Sequence, residues 1–141
     1  MNTASKAKLD RCWTAQQEIT AMKAELEAVR DRMGTVKALR AQTADGAGSE
    51  QLTELADTLS AREKALLQGI EQNLLVEKEC MAGIGAVTNP VYRTLLTLRY
   101  LKLLPWDGVA AAMHYEQRYI YKLHNNALAA FGRAIEAAGN N

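Results

Sequence analysis

Residues 98–128 read LRYLKLLPWDGVAAAMHYEQRYIYKLHNNAL, and the spacing within this stretch decides the fold. The pattern predicts two helices, residues 107–113 and 116–128, joined by a short turn at His114 and Tyr115. A turn of this length is typical of a helix-turn-helix. We expect the first helix to bury its apolar side chains, which are Val109, Ala110 and Met113.

The second of these helices has one apolar and one polar face. Its apolar residues recur at steps of three and four and are Ile120, Leu123, Ala127 and Phe131. The opposite face carries Gln117, Arg118, Tyr121, Lys122 and Asn125. Because the second helix of such a motif enters the major groove of DNA, these five residues are the candidate DNA-binding residues.

Several short motifs in this stretch resemble, in order and spacing, region four of bacterial sigma factors. They are Leu98-Arg99-Tyr100, Trp106-Asp107, Val109-Ala110, Tyr115 before the second helix, and LHNNAL at residues 123–128. The resemblance covers residues 84–131 and is closer to small phage-encoded late-gene regulators of the ArpU/RinA type. It implies a role in transcription regulation, double-stranded DNA as ligand and contact with RNA polymerase. The chain departs from the family pattern at Gly108, Glu116 and Gln117.

Composition indicates an all-α protein. The 141 residues are 48% hydrophobic and 23% charged, with two prolines and many residues that favour helices. No apolar run approaches the roughly 20 residues that cross a membrane. We therefore expect no membrane partner and a location in the cytoplasm of a bacterial host cell.

Charge is divided unevenly along the chain, although the net charge is only +1. Residues 1–85 carry 11 basic and 13 acidic side chains, whereas residues 86–141 carry 6 basic and 3 acidic ones. The basic excess therefore coincides with the predicted helix-turn-helix, as expected of a segment that approaches phosphates. Because the excess is small, we expect weak DNA binding, and this binding should depend strongly on salt because each phosphate contact contributes through counterion release.

The first 85 residues predict an antiparallel helical hairpin of the coiled-coil type. A first helix, about residues 4–40, has a heptad seam of Cys12, Ala15, Ile19, Met22, Leu26, Val29, Met33 and Val36. Gly46 and Gly48 predict the turn, and Ser49 predicts the cap of a second helix that ends near Ala82. The apolar stripe of that helix is Leu52, Leu55, Leu59, Leu66, Ile70 and Leu74.

Two domains follow from these patterns. Residues 1–85 form the hairpin, for oligomerisation or partner binding, and residues 86–141 form the DNA-binding domain. Gly83 and Gly85 predict a break between them, and Asn89 and Pro90 predict the start of a third helix that runs to about residue 102. We expect a homodimer through the hairpin, because a small C-terminal domain cannot cover its whole seam.

The cysteines and histidines predict no metal site, no cofactor and no enzyme activity. Cys12 and Cys80 lack ligand spacing and are expected to be reduced, buried thiols. His114 and His124 are expected to pack or to cap a helix. The hairpin register pairs residues whose numbers sum to about 92, which brings Cys12 beside Cys80 with their Cα atoms within about 7 Å.

Two other functions remain open from the sequence. A DNA-packaging protein, similar to a small terminase subunit, or a scaffold protein would also combine a helix-turn-helix with an oligomerising coiled coil. A ring of many subunits would favour packaging, whereas a monomer or dimer would favour a regulator. Alternatively, Gly108 and Glu116 are compatible with a protein-binding module that has lost DNA binding.

Overall fold

A computed structural model describes residues 2–43 and 49–139, and every element within these ranges is helical. The elements are α1 (Thr3–Gln42), α2 (Ser49–Gly85), α3 (Pro90–Leu96), a π-helical segment (Thr97–Leu101), α4 (Trp106–Met113) and α5 (Gln117–Gly139). The predicted all-α class is therefore confirmed. The predicted turn at Gly46 and Gly48 lies outside the described residues.

The start of α3 follows the predicted capping pattern. The side-chain oxygen of Asn89 accepts hydrogen bonds from the backbone N–H groups of Val91 and Tyr92, and Pro90 occupies the first helical turn. Proline fits there because its missing N–H would have no partner within the helix. The expected third helix thus begins as predicted, but its second half becomes the π-helical segment, in which Lys102 N–H donates to the carbonyl of Thr97.

The end of α2 differs from the prediction. The helix continues past Ala82 to Gly85, so Gly83 does not break it. A Cβ atom on Gly83 would lie 2.8 Å from Cε2 of Phe131. Gly83 is therefore required for the close approach of an aromatic ring from α5, and a helix can contain it because glycine costs only about 1 kcal/mol there.

The chain divides into two compact units. The terminal unit contains the residues up to Gln17 and those from Asn73 onward, and the middle unit contains Glu18–Gln72. The beginning of α1 and the end of α2 thus belong to the same unit as α3, α4 and α5. The predicted division of roles between residues 1–85 and 86–141 stays a prediction.

The terminal unit has one apolar core, to which all of its helices contribute. Six of the seven predicted inward residues of α4 and α5 are buried members of it, and Val109, Ile120 and Ala127 are completely buried. The seventh, Met113, is partly buried and packs against the core. Its buried members are Leu9, Cys12, Cys80, Ile84, Val87, Leu95, Leu96, Tyr100, Val109, Ala110, Ile120, Leu123, Ala127, Leu128 and Phe131.

The middle unit has a narrower core between the facing segments of α1 and α2. Its buried members are Leu26, Val29 and Leu66, with Met22, Met33, Leu59 and Ile70 packed against them. Two ion pairs flank this core, Arg30 with Glu63 and Arg62 with Glu25. The side chain of Met22 also lies against Gly69, and the numbers of these two residues sum to 91, close to the predicted register.

The predicted stripe of α2 is wrong at two positions. Leu55 and Leu74 are 46% and 45% exposed, so neither lies in the core. Ala56 and Glu63 instead occupy partly buried positions, at steps of three and four from Leu59 and Leu66. The apolar pattern failed there because polar or small residues fill part of the heptad seam.

The two cysteines meet within the terminal unit, as the register predicted. Their Cα atoms are 6.0 Å apart, and the sulfur atoms form a disulfide bond. The expected register is confirmed at this pair, whereas the expectation of two reduced thiols is wrong. This Cα separation lies within the range that a disulfide spans, so the bond requires no movement of the backbone.

The helices of residues 2–43 and 49–139 include none that is long and apolar enough to span a membrane.

Candidate nucleic-acid interface

The turn between α4 and α5 is fixed by backbone hydrogen bonds. His114 adopts the left-handed conformation, with φ 61°. Its N–H donates to the carbonyl of Ala111, and Tyr115 N–H donates to that of Ala110. This pair of bonds is the Schellman arrangement, which satisfies the last carbonyl groups of a helix. His114 is thus a capping residue, as expected, and the turn sets where α5 begins.

The five predicted DNA-binding residues lie together on α5. Gln117, Arg118, Tyr121, Lys122 and Asn125 are all exposed. They occupy the side of the helix opposite the buried stripe. The structure thus brings these residues onto one face, which we call the outer face of α5, and their contact with DNA stays a prediction.

Two side chains of the outer face are held in place by neighbours. The amide nitrogen of Gln117 donates to the hydroxyl of Tyr121 at 2.9 Å. The Tyr121 ring meets the Trp106 ring edge-on, with centroids 5.6 Å apart. Trp106 itself is half-buried at the start of α4. These contacts restrict the Gln117 and Tyr121 side chains before any ligand binds. Binding would therefore cost less conformational entropy.

The charge of the terminal unit suits an anionic ligand. Its sequence carries ten basic and six acidic residues, whereas the middle unit carries seven and ten. Arg118 and Lys122 are one helical turn apart. Neither forms an ion pair within residues 2–43 and 49–139. Both cations therefore remain available to phosphate groups.

Beneath the outer face, a buried pair of side chains joins α5 to the π-helical segment. The hydroxyl of Tyr100 lies 2.7 Å from Nε2 of His124, and both residues are buried. The Trp106 ring packs edge-on against His124, with centroids 4.5 Å apart. The predicted packing role of His124 is confirmed. Tyr100 and His124 come from the LRY and LHNNAL motifs, so this contact gives both motifs a structural role.

Burial shifts the pKa of both members of this pair. Burial lowers the pKa of His124 to about 4, with further lowering by the positive charges of Lys6 and Arg99 against the opposing effect of Asp10. Burial also raises the pKa of Tyr100 to about 12, assisted by Asp10 and opposed by Arg99. Both groups are therefore neutral at pH 7, and the Tyr100 hydroxyl can donate to the unprotonated Nε2.

An arginine between two tryptophans supports the same region. The guanidinium group of Arg99 lies 4.4 Å from the ring centroids of both Trp13 and Trp106. One of its nitrogens donates to the carbonyl of Leu104 at 3.1 Å. Cation–π contacts of this kind stabilise partly desolvated sites by about 1–2 kcal/mol each. Arg99 thus links the first turns of α1 to the start of α4 and is a structural residue.

The chain was compared with known protein families, curated proteins and solved structures. No family model, no curated protein and no solved structure matches the chain.

Two exposed aromatic residues beside the outer face were not among the residues predicted from the sequence. Tyr115 and Tyr119 are 39% and 46% exposed, and their rings meet edge-on with centroids 5.1 Å apart. Their spacing of four residues was the available signal. Exposed tyrosines of this kind offer hydroxyl donors and flat apolar surface to a sugar–phosphate backbone.

No group of three or more His, Cys, Asp or Glu side chains is placed to hold a metal ion among the residues that the structure describes.

Proposed function

We propose that this chain is a phage-type DNA-binding transcription regulator in which α4 and α5 act as a sigma-region-four-like helix-turn-helix. The observation that carries the proposal is the outer face of α5. It combines two cations, two side-chain amides and a tyrosine on a helix whose opposite side is buried. The resemblance in sequence supplies the transcriptional role, and the exposure of these five residues supports contact with DNA.

The side chains of the outer face divide by chemistry. Arg118 and Lys122 contact phosphate groups, because cations bind the DNA backbone without regard to sequence. Gln117 and Asn125 contact base edges, since an amide can form two hydrogen bonds with adenine in the major groove. Tyr121 holds Gln117 in position and contributes a secondary contact through its exposed ring edge.

The proposal includes two protein partners. The resemblance to sigma region four implies contact with an RNA polymerase subunit, so the bound regulator recruits polymerase to a promoter. A homodimer through the N-terminal helices would place two copies of α5 on one DNA site. Two weak modules on one site bind far more tightly than either alone.

The test is a gel-shift titration of the full chain against the DNA upstream of its own coding sequence, at two or more salt concentrations. The variant Arg118→Ala/Lys122→Ala should bind more weakly. Its plot of log affinity against log salt should be shallower by roughly two, because two phosphate contacts are lost. Unchanged affinity would exclude the outer face as the DNA contact.

A matched control separates these contacts from a general effect of charge. Lys37→Ala/Lys64→Ala removes the same charge from exposed positions of the middle unit. It should leave affinity and salt dependence nearly unchanged. Equal weakening by both double variants would show that net charge, and not the outer face of α5, determines binding.

Base contacts have a separate signature. Gln117→Ala should reduce the preference for the specific site over unrelated DNA by roughly tenfold, with an unchanged salt dependence. A uniform loss of affinity for both DNAs would instead place Gln117 on the backbone.

A further inference from the structure

Helix α2 carries a second line of exposed side chains beside the one that faces α1. Its members are spaced at alternating steps of four and three and are Leu67, Glu71, Leu74, Lys78 and Met81. We call this line the outer stripe. The three apolar members are 43%, 45% and 56% exposed, and the neighbouring Leu75 is 57% exposed. Exposed apolar residues in such a row are typical of an interaction surface.

The outer stripe is separate from the seam that α1 covers. The buried or half-buried positions of α2 include Leu66, Ile70, Asn73, Glu77 and Cys80, each one residue before a member of the outer stripe. One residue corresponds to a rotation of about 100° around an α-helix. Helix α2 therefore has two heptad faces, and among the described residues no member of the outer stripe belongs to either buried core.

The order of residues in the outer stripe is self-complementary. An antiparallel copy centred on Leu74 opposes Leu74 to its own equivalent and Leu67 to Met81. In the same alignment Glu71 of each copy lies within one residue of the level of Lys78 of the other, so two ion pairs flank the central leucines. A parallel copy would oppose Glu71 to Glu71 and Lys78 to Lys78, which is unfavourable.

We propose that a second copy of this chain covers the outer stripe, in a two-fold symmetric dimer whose α2 helices run antiparallel and meet at Leu74. Charge complementarity and the repeated heptad spacing identify the occupant, because a two-fold contact requires a surface that complements itself. Leu75 of each copy flanks the central contact and adds apolar area. The inference specifies the self-association included in the proposed function, and it involves no residue of the outer face of α5.

The first test is the solution mass of the full chain, measured by sedimentation across a range of concentrations. The chain should be a dimer, and Leu74→Asp should raise the dissociation constant roughly 100-fold, because it places two carboxylates at the centre of an apolar contact. Leu55→Asp is the matched control, since Leu55 is 46% exposed on the same helix but lies outside the outer stripe. A monomeric chain, a closed ring of many copies, or equal effects of both variants would overturn the proposal.

The second test determines the orientation of the helices. Glu71→Lys or Lys78→Glu alone should weaken the dimer roughly tenfold, because each places like charges opposite one another. The double variant Glu71→Lys/Lys78→Glu should restore the original affinity. A parallel contact predicts no such rescue.

A crosslink gives the position of the two-fold axis. Leu74→Cys should form an interchain disulfide under mild oxidation, whereas Leu55→Cys should not. The absence of a crosslink at Leu74 would overturn the alignment.

Since the outer stripe and the outer face of α5 share no residue, a monomer that still binds DNA would refute the dimer alone. A dimer without DNA affinity would refute only the proposed DNA contact.

Discussion

The hydroxyl of Tyr100 and Nε2 of His124 share a hydrogen bond of 2.7 Å in the core of the terminal unit. This contact joins the π-helical segment to the middle of α5. Because both side chains are buried and neutral, neither can exchange the bond for water without local unfolding. The position of α5, and with it the outer face, therefore depends on this pair.

Removal of the Tyr100 hydroxyl should destabilise the protein. In Tyr100→Phe, Nε2 of His124 stays buried without a partner, which costs about 1–3 kcal/mol. Chemical denaturation of wild type and variant measures the difference. Tyr115→Phe removes a hydroxyl from an exposed tyrosine and should change the free energy of unfolding by less than about 0.5 kcal/mol. Similar values for the two variants would show that the Tyr100–His124 bond contributes no stability.

The lowered pKa of His124 makes stability depend on pH. The pKa is about 4 in the folded chain, against an ordinary value of 6.5, so between these two values His124 is mostly protonated in the unfolded state and mostly neutral in the folded state. The contribution of neutral His124 is fully present above pH 6.5 and is lost as the pH falls through 4. Between pH 7 and pH 4.5 the loss should be on the order of 2 kcal/mol.

The variant His124→Gln isolates this effect from carboxylate titration. Glutamine cannot be protonated in this range but retains an acceptor for Tyr100. The difference in unfolding free energy between wild type and His124→Gln should therefore change with pH, in favour of the variant at low pH. A difference that stays constant from pH 7 to pH 4.5 would contradict the lowered pKa.

Apolar spacing was sufficient to predict most of the secondary structure, because each helix buries residues at steps of three and four. It predicted the buried stripe of α5 and the seam of α1. It wrongly predicted that Leu55 and Leu74 are buried. Part of the α2 seam is occupied by polar residues such as Glu63 and Glu77, and a pattern of apolar residues cannot identify these positions. Glu77 is accommodated there because it accepts a hydrogen bond from Gln16.

The contacts that hold the candidate site in place could not be predicted from apolar spacing. Trp13 lies in the first turns of α1, and no local pattern indicates that its ring covers Arg99. The Tyr100–His124 bond likewise joins residues from two separate motifs, and only the packing of α5 against the π-helical segment shows that they meet. Such contacts depend on tertiary geometry rather than on periodicity.

The close contact between Gly83 and Phe131 should not tolerate a side chain. In Gly83→Ala the new Cβ would lie 2.8 Å from the Phe131 ring, which is itself buried and cannot move freely. We expect a loss of about 1–3 kcal/mol in the free energy of unfolding. Gly34→Ala is the control, because nothing lies within 4 Å of its Cβ position in α1 and alanine favours helix by about 1 kcal/mol. A stabilising Gly83→Ala would show that α5 packs differently against α2.

The disulfide between Cys12 and Cys80 provides the last prediction, because it tests the register of the two long helices. Its members are 68 residues apart in sequence, and a bond across so long a loop should stabilise the folded chain by about 2–4 kcal/mol, by restricting the unfolded state. Alkylation of the unfolded, non-reduced protein followed by mass measurement should therefore modify no cysteine, whereas reduction should expose two thiols and lower the denaturation midpoint. In Cys12→Ala/Cys80→Ala the midpoint should already be low and should not respond to reductant. A crosslink found only between chains would mean that α1 pairs with α2 of another copy in place of its own.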